Sequence, residues 1–235
     1  MPKLKRPRTD NERLMAMTTA KRAVASLPPG PLSAETIARL DILLPQMEME
    51  MQQRGNALAV QAGGTSAVRP ARTRMRRLVL HFLRVFNMGV KRGVFSAADR
   101  GHYGLGIDSP KAPLLHTDAD IALWAAQIVS GDAKRVAGGG TPMAMPSADE
   151  VAVQMEEFRQ LRMQLSARKD NYAKEQADVD RLRKDVDALL MDIWDEVLFY
   201  FRKRTPSAKR KKARQYGVRY VPSSKTEVPD EELTD

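Results

Sequence analysis

Three histidines, His81, His102 and His116, are the first side chains to test for chemistry. None has an i, i+4 partner, and no His-Glu-x-x-His pattern occurs, so the spacing that gathers imidazoles around a metal is missing. His81 stands among apolar residues at helical spacing and reads as an interface histidine. Asp118 and Asp120 follow Thr117, where acids are favoured by the positive end of a helix dipole. Gly104-Leu-Gly106 and Gly138-Gly-Gly140 have the composition of phosphate loops. Neither follows a strand pattern, and the second lacks a Gly-Lys-Ser/Thr ending, so both read as tight turns. The carboxylates Glu48, Glu50, Glu156, Glu157, Asp192, Asp195 and Glu196 lack the Glu-x-x-His pairs of a di-metal bundle. They read as solvated faces and ion pairs between helices. No catalytic, cofactor-binding or metal-ligating residue is assigned, and no enzymatic activity is expected.

Charge is the stronger signal. The net charge is +10, with 29% charged residues. Basic residues gather in the first nine positions, at Arg69, Arg72, Arg74, Arg76 and Arg77, and between Arg202 and Arg214, and the last ten residues are acidic. Arg72, Arg76, Arg77, Lys209, Arg210, Lys211, Lys212 and Arg214 are the candidate contacts to nucleic acid or to an acidic protein partner. Tyr216 and Tyr220 stand close enough in sequence to the second cluster to stack a base. No recognition helix, RNA-binding signature or zinc module accompanies them, which favours a solvated or partner-facing tail.

The elements that would carry these residues are helical. Apolar residues make up 43% of the chain and aromatics only 6%, which suits long helices with one buried stripe. Residues 1–9 read as a disordered basic arm. A short helix follows from Asp10, a candidate N-cap, to Ser26, and Leu27-Pro28-Pro29-Gly30-Pro31 stops it. Ser33 caps a first long arm, about 33–95, with Ile37, Leu40, Leu44, Met47 and Met51 at helical steps and then Met75, Leu78, Phe82, Val85 and Phe86. Pro45 should bend it, and Gly63-Gly64 leaves open whether it is one bent helix or two joined by a tight turn.

A second arm, about 147–204, opens on the capping box Ser147-Ala-Asp-Glu150 and runs without Gly or Pro to Arg204. Its stripe of Val151, Met155, Phe158, Leu161, Leu165, Tyr172, Val179, Leu182, Val186, Leu189, Ile193 and Val197 has coiled-coil-like spacing. A lone helix with such a stripe needs a partner, so the arms are expected to pair antiparallel. The connector, 96–146, holds a helix that starts at Thr117-Asp-Ala-Asp120 and ends at Ser130-Gly131, with Tyr103, Trp124 and Met143 packing it. Residues 205–235 read as a largely disordered tail, basic and then acidic, with one short strand possible at 216–222. The fold class expected is all-α, with residues 10–204 as a single elongated domain.

The segments His81–Gly93, Arg100–Leu105, Gly139-Gly-Thr-Pro-Met143 and Asp192–Val197 resemble a group of uncharacterised bacterial all-helical proteins. The likeness covers about residues 34–204. It implies the architecture and no activity. No stretch approaches the ~20 apolar residues of a membrane span, and the basic N-terminus lacks the apolar run of a signal peptide, so a cytoplasmic protein without a membrane is expected. The function expected is a non-enzymatic structural or protein-interaction role, with self-association or a protein partner. A nucleic-acid-associated protein binding through 69–77 and 202–214 is the alternative.

Overall fold

Helices account for nearly all of the regular structure in the computed structural model, which describes residues 2–26, 30–108 and 111–222. The order is β1 (Lys3–Leu4), α1 (Asp10–Ser26), α2 (Ala34–Lys91), a 3-10 turn (Ala97–Tyr103), α3 (Asp118–Ala137), α4 (Ala148–Tyr200), α5 (Pro206–Arg214) and β2 (Tyr220–Val221). The fold is all-α, with α2 and α4 as the two long antiparallel arms. The chain divides into two compact units: residues 1–58 with 172–235, and residues 59–171. Both arms contribute to each unit.

Local chemistry sets most helix starts. Ser147 Oγ accepts from Glu150 N at 3.1 Å and Glu150 Oε2 accepts from Ser147 N at 3.0 Å, the capping box expected. Thr117 and Asp120 make the same exchange at 3.1 and 2.8 Å. Ser33 accepts from Thr36 N at 3.2 Å, as expected. At α1 the reading is corrected. Thr9, and not Asp10, is the cap: its Oγ1 accepts from Glu12 N at 3.2 Å, while Glu12 Oε2 reaches back to Arg8 N at 2.7 Å. The Arg8 backbone N–H, with Arg219 and the Thr9 N–H, holds the Glu12 carboxyl at a pKa of about 2.

In the terminal unit, α1 lays Ala16, Met17, Ala20 and Ala23 against Leu40 and Met47 of α2 and against Val186, Ile193 and Trp194 of α4. The small residues let α1 approach closely. Antiparallel pairing is explicit: Arg39 donates to Asp192 at 2.5 Å, and fifteen residues further along α2 Arg54 donates to Gln176 at 3.4 Å. Parts of two segments expected to be disordered take regular structure. Within 1–9, Lys3 and Leu4 pair antiparallel with Val221 and Tyr220. Within 205–235, α5 forms and buries Ala213, followed by Tyr216 and Val218. Gly217 has φ +81°, and a Cβ on it would stand 2.6 Å from the Ala16 carbonyl oxygen, so only glycine lets the chain cross α1 there. The acidic end, 227–235, lies outside the described residues.

In the 59–171 unit, Met75, Val79, Phe82 and Phe86 of α2 meet Ile121, Ala125 and Ile128 of α3 and Val151 and Phe158 of α4. Antiparallel pairing recurs, with Arg74 donating to Glu157 at 2.7 Å. α2 runs unbroken through Pro45, Gly55 and Gly63-Gly64, so the two-helix alternative is wrong. Packing explains part of this: Gly64 is buried under Arg168 and Leu165 of α4, where a Cβ would stand 2.9 Å from the guanidinium. α3 passes through Ser130-Gly131, the expected stop, and ends at Ala137. A Cβ at Gly131 would collide with the His102 carbonyl oxygen, so this glycine serves close packing of α3 on the 3-10 turn.

Candidate functional site

The buried polar side chains come first, because chemistry would need them. In the terminal unit Asp10 is only 7% exposed. Arg183 donates to both of its oxygens, at 2.7 and 2.8 Å, and Arg54 donates to Oδ2 at 2.8 Å. Arg13, one turn on, forks onto Asp187 at 2.8 and 2.9 Å. The Arg183 guanidinium outweighs burial and holds the Asp10 carboxyl at a pKa of about 2. This acid is an ionic clasp joining α1, α2 and α4.

The 59–171 unit has a second cluster. Tyr103 Oη donates to Asp132 Oδ1 at 2.6 Å and accepts from Arg135 Nε at 2.8 Å. Arg135 Nη2 donates to Asp132 at 2.9 Å and to the Thr141 carbonyl at 2.6 Å, and its plane lies 4.8 Å from the Phe95 ring centroid. Burial, reinforced by the Asp132 carboxylate, pushes the Tyr103 phenol well above its ordinary range. Tyr103 packs edge-on against Phe82 and Phe86. Tyr103 Oη, Asp132 Oδ1 and Arg135 Nε and Nη2 all bond within the unit, so the triad fixes the connector.

The carboxylates named from sequence mostly find cationic or backbone partners. Asp192 pairs with Arg39, Glu156 with Arg159 and Glu157 with Arg74, while Glu196 accepts from Ser33 and Thr36. Glu50 instead converges with Glu175 and Asp178, their oxygens within 4.8 Å of one another. Such oxygens suit a hard cation, but Asp178 is engaged by Arg181 and three ligands fall short of a full shell.

The basic candidates separate sharply. Arg72 is committed within its unit, to Asp118 at 2.6 Å and the His116 carbonyl at 2.7 Å. Arg76 and Arg77 are exposed. On α5, Lys211 and Lys212 are exposed and Lys209, Arg210 and Arg214 half-buried, with Arg214 lying 5.9 Å from the Tyr220 ring centroid. Tyr216 is buried, so the expected base-stacking role is corrected for it.

What the sequence reading missed is the extent of the basic face on α2. No acid occurs between Glu50 and Asp99, a stretch carrying Arg54, Arg69, Arg72, Arg74, Arg76, Arg77, Arg84, Lys91 and Arg92. At about 100° per residue, Arg77, Arg84 and Lys91 fall seven apart on nearly one line, with Arg69 and Arg76 on the adjoining flank. The buried positions Val68, Met75, Val79 and Phe86 lie on the opposite side. Arg69, Arg76, Arg77, Arg84, Lys91 and Arg92 are all exposed, and none has an ion pair or a side-chain hydrogen bond among the described residues. From Arg69 to Lys91 the face is roughly 33 Å long. The signal was available in the seven-residue recurrence and in the missing acids.

Comparison of the chain with family models, curated proteins and solved structures finds no match. No helix among the described residues is long and apolar enough to cross a membrane.

Proposed function

We propose that this chain is a non-enzymatic helical interaction protein that associates with nucleic acid, gripping phosphates along the outer face of α2. One observation carries this reading: six exposed basic side chains without internal partners, on a stretch free of acids. By contrast, Arg39, Arg54, Arg72 and Arg74 of the same helix and Arg13 and Arg183 are each paired with a carboxylate. Leaving a row of guanidiniums unneutralised costs stability through mutual repulsion, and an external polyanion relieves it. An anionic membrane fits less well, because the apolar side of α2 is already spent in the core and has nothing to insert.

Fluorescence anisotropy with labelled DNA and RNA at low salt tests the reading. Binding should weaken steeply with added salt, and Arg77→Glu/Arg84→Glu should weaken it by at least about tenfold and flatten the salt slope by about 2. No binding of any nucleic acid by the folded wild type would end the proposal.

The expected self-association remains a second reading, favoured by an apolar groove between α3 and α4. Ala122, Met155, Phe158 and Met163 line it, and Leu123 and Met163 are each 56% exposed. Light scattering should then show an oligomer that Leu123→Lys/Met163→Lys converts to monomer; a monomeric wild type at high concentration would sink this reading.

A further inference from the structure

Resting on the nucleic-acid reading, we infer that the ligand of the α2 face is a double helix, held by its backbone without regard to base sequence. Three observations point there. First, the face is the outer side of one continuous helix, and its basic row of roughly 33 Å matches one turn of B-form duplex, about 34–36 Å. A stiff crest can meet a stiff duplex along that length without ordering either partner. A flexible single strand would have to surrender its freedom to follow the crest.

Second, single strands are generally held by aromatic platforms on which bases stack. Within the 59–171 unit no phenylalanine, tyrosine or tryptophan among the described residues is exposed, and the one exposed ring on this stretch of α2 is the small imidazole of His81. Phe82, Phe86, Tyr103 and Phe158 are buried, and Phe95 and Trp124 are half-buried in the core. Third, base edges are commonly read by asparagine, glutamine or an acid placed among the arginines. Between positions 69 and 92 no asparagine, glutamine or acid is exposed, since Asn87 is buried. What remains is guanidinium and ammonium, which fit phosphate oxygens and carry position without sequence information.

The flanks support the same geometry. Arg72 and Arg74, which border the row, are tied to Asp118 and Glu157, and Glu150 is tied to the Ser147 backbone N–H. Asp118, Glu157 and Glu150 are thus already engaged, while Asp149 stands beside His81 at one flank.

The experiment compares the full chain on a duplex of roughly 20 base pairs, about two helical turns, with either strand alone, at matched salt. The duplex should bind at least about tenfold more tightly, with a log–log salt slope near −4 to −5 for the five residues Arg69, Arg76, Arg77, Arg84 and Lys91. Two duplexes of unrelated sequence should agree within about threefold. Arg77→Lys/Arg84→Lys should keep the slope, and Lys211→Glu/Lys212→Glu on α5 should leave duplex affinity within about threefold, with circular dichroism confirming that each variant is folded. A single strand bound equally or more tightly, or tenfold discrimination between duplexes, overturns the duplex inference while leaving nucleic-acid association intact. An α5 variant as damaging as Arg77→Glu/Arg84→Glu overturns the assignment to α2. No binding of either form removes both readings.

Discussion

Replacing Arg135 by methionine should destabilise the 59–171 unit by about 3–5 kcal/mol, the range for stripping one partner from a buried ion pair. The side chain is 3% exposed and Asp132 is 5% exposed. Methionine fills much of the same space but removes donors to Asp132, Tyr103 and the Thr141 carbonyl together. Asp132 would keep only the Tyr103 hydroxyl as a strong donor and would be left buried without its cation. The double variant Arg135→Met/Asp132→Asn should therefore lose less than the single one, because it removes the stranded charge. Urea unfolding followed by circular dichroism measures both. A single-variant loss under about 1 kcal/mol would show that the triad is not holding the connector.

The second large effect is at Asp10. Asp10→Ala should cost the terminal unit about 3 kcal/mol, less than three full charge-assisted hydrogen bonds because Arg54 and Arg183 are partly exposed and turn to water. Fluorescence of Trp194, buried in that unit, reads the transition when Trp124 is replaced by phenylalanine. The pH dependence has a definite sign. Folding lowers the Asp10 pKa from 3.8 to about 2, so its contribution is present above about pH 4 and is lost as pH falls toward 2. Wild type and Asp10→Ala should converge in stability over that window. A difference that persists unchanged to pH 2 would mean that the carboxylate charge is not what the arginines hold.

These two clusters mark what sequence could and could not give. Caps at Ser33, Thr117 and Ser147 were legible because each is decided within four residues. So were the arms, since Leu40, Met47, Met75, Phe82, Val179 and Val186 recur at the helical period and are buried. Asp10 was legible only as a helix-start acid, because its arginines come from positions 54 and 183. The triad was hidden by Gly131: a glycine read as a stop ended α3 before Asp132 and Arg135 could be seen as an i, i+3 pair. At Gly64 and Gly131 packing overrode the weak intrinsic preference of glycine against helix. The basic run at 69–77 was visible, but sequence proximity grouped residues that helical geometry separates. Arg72 turns inward to Asp118, while Arg84 and Lys91, outside the run, line up with Arg77.

The division of the chain has a consequence for the order of events as it is made. Residues 59–171 are contiguous, so that unit has all of its parts once they have been synthesised. The other unit is split, with Met17, Leu40 and Met47 awaiting Val186, Trp194 and Tyr216 from more than a hundred residues later. Closing so long a loop is entropically cheaper when its interior has already condensed, because a folded insert shortens the effective chain between the two halves. The pairing of Lys3–Leu4 with Tyr220–Val221 is then among the last of these contacts to form, a clasp that shuts only after residues 220 and 221 have emerged.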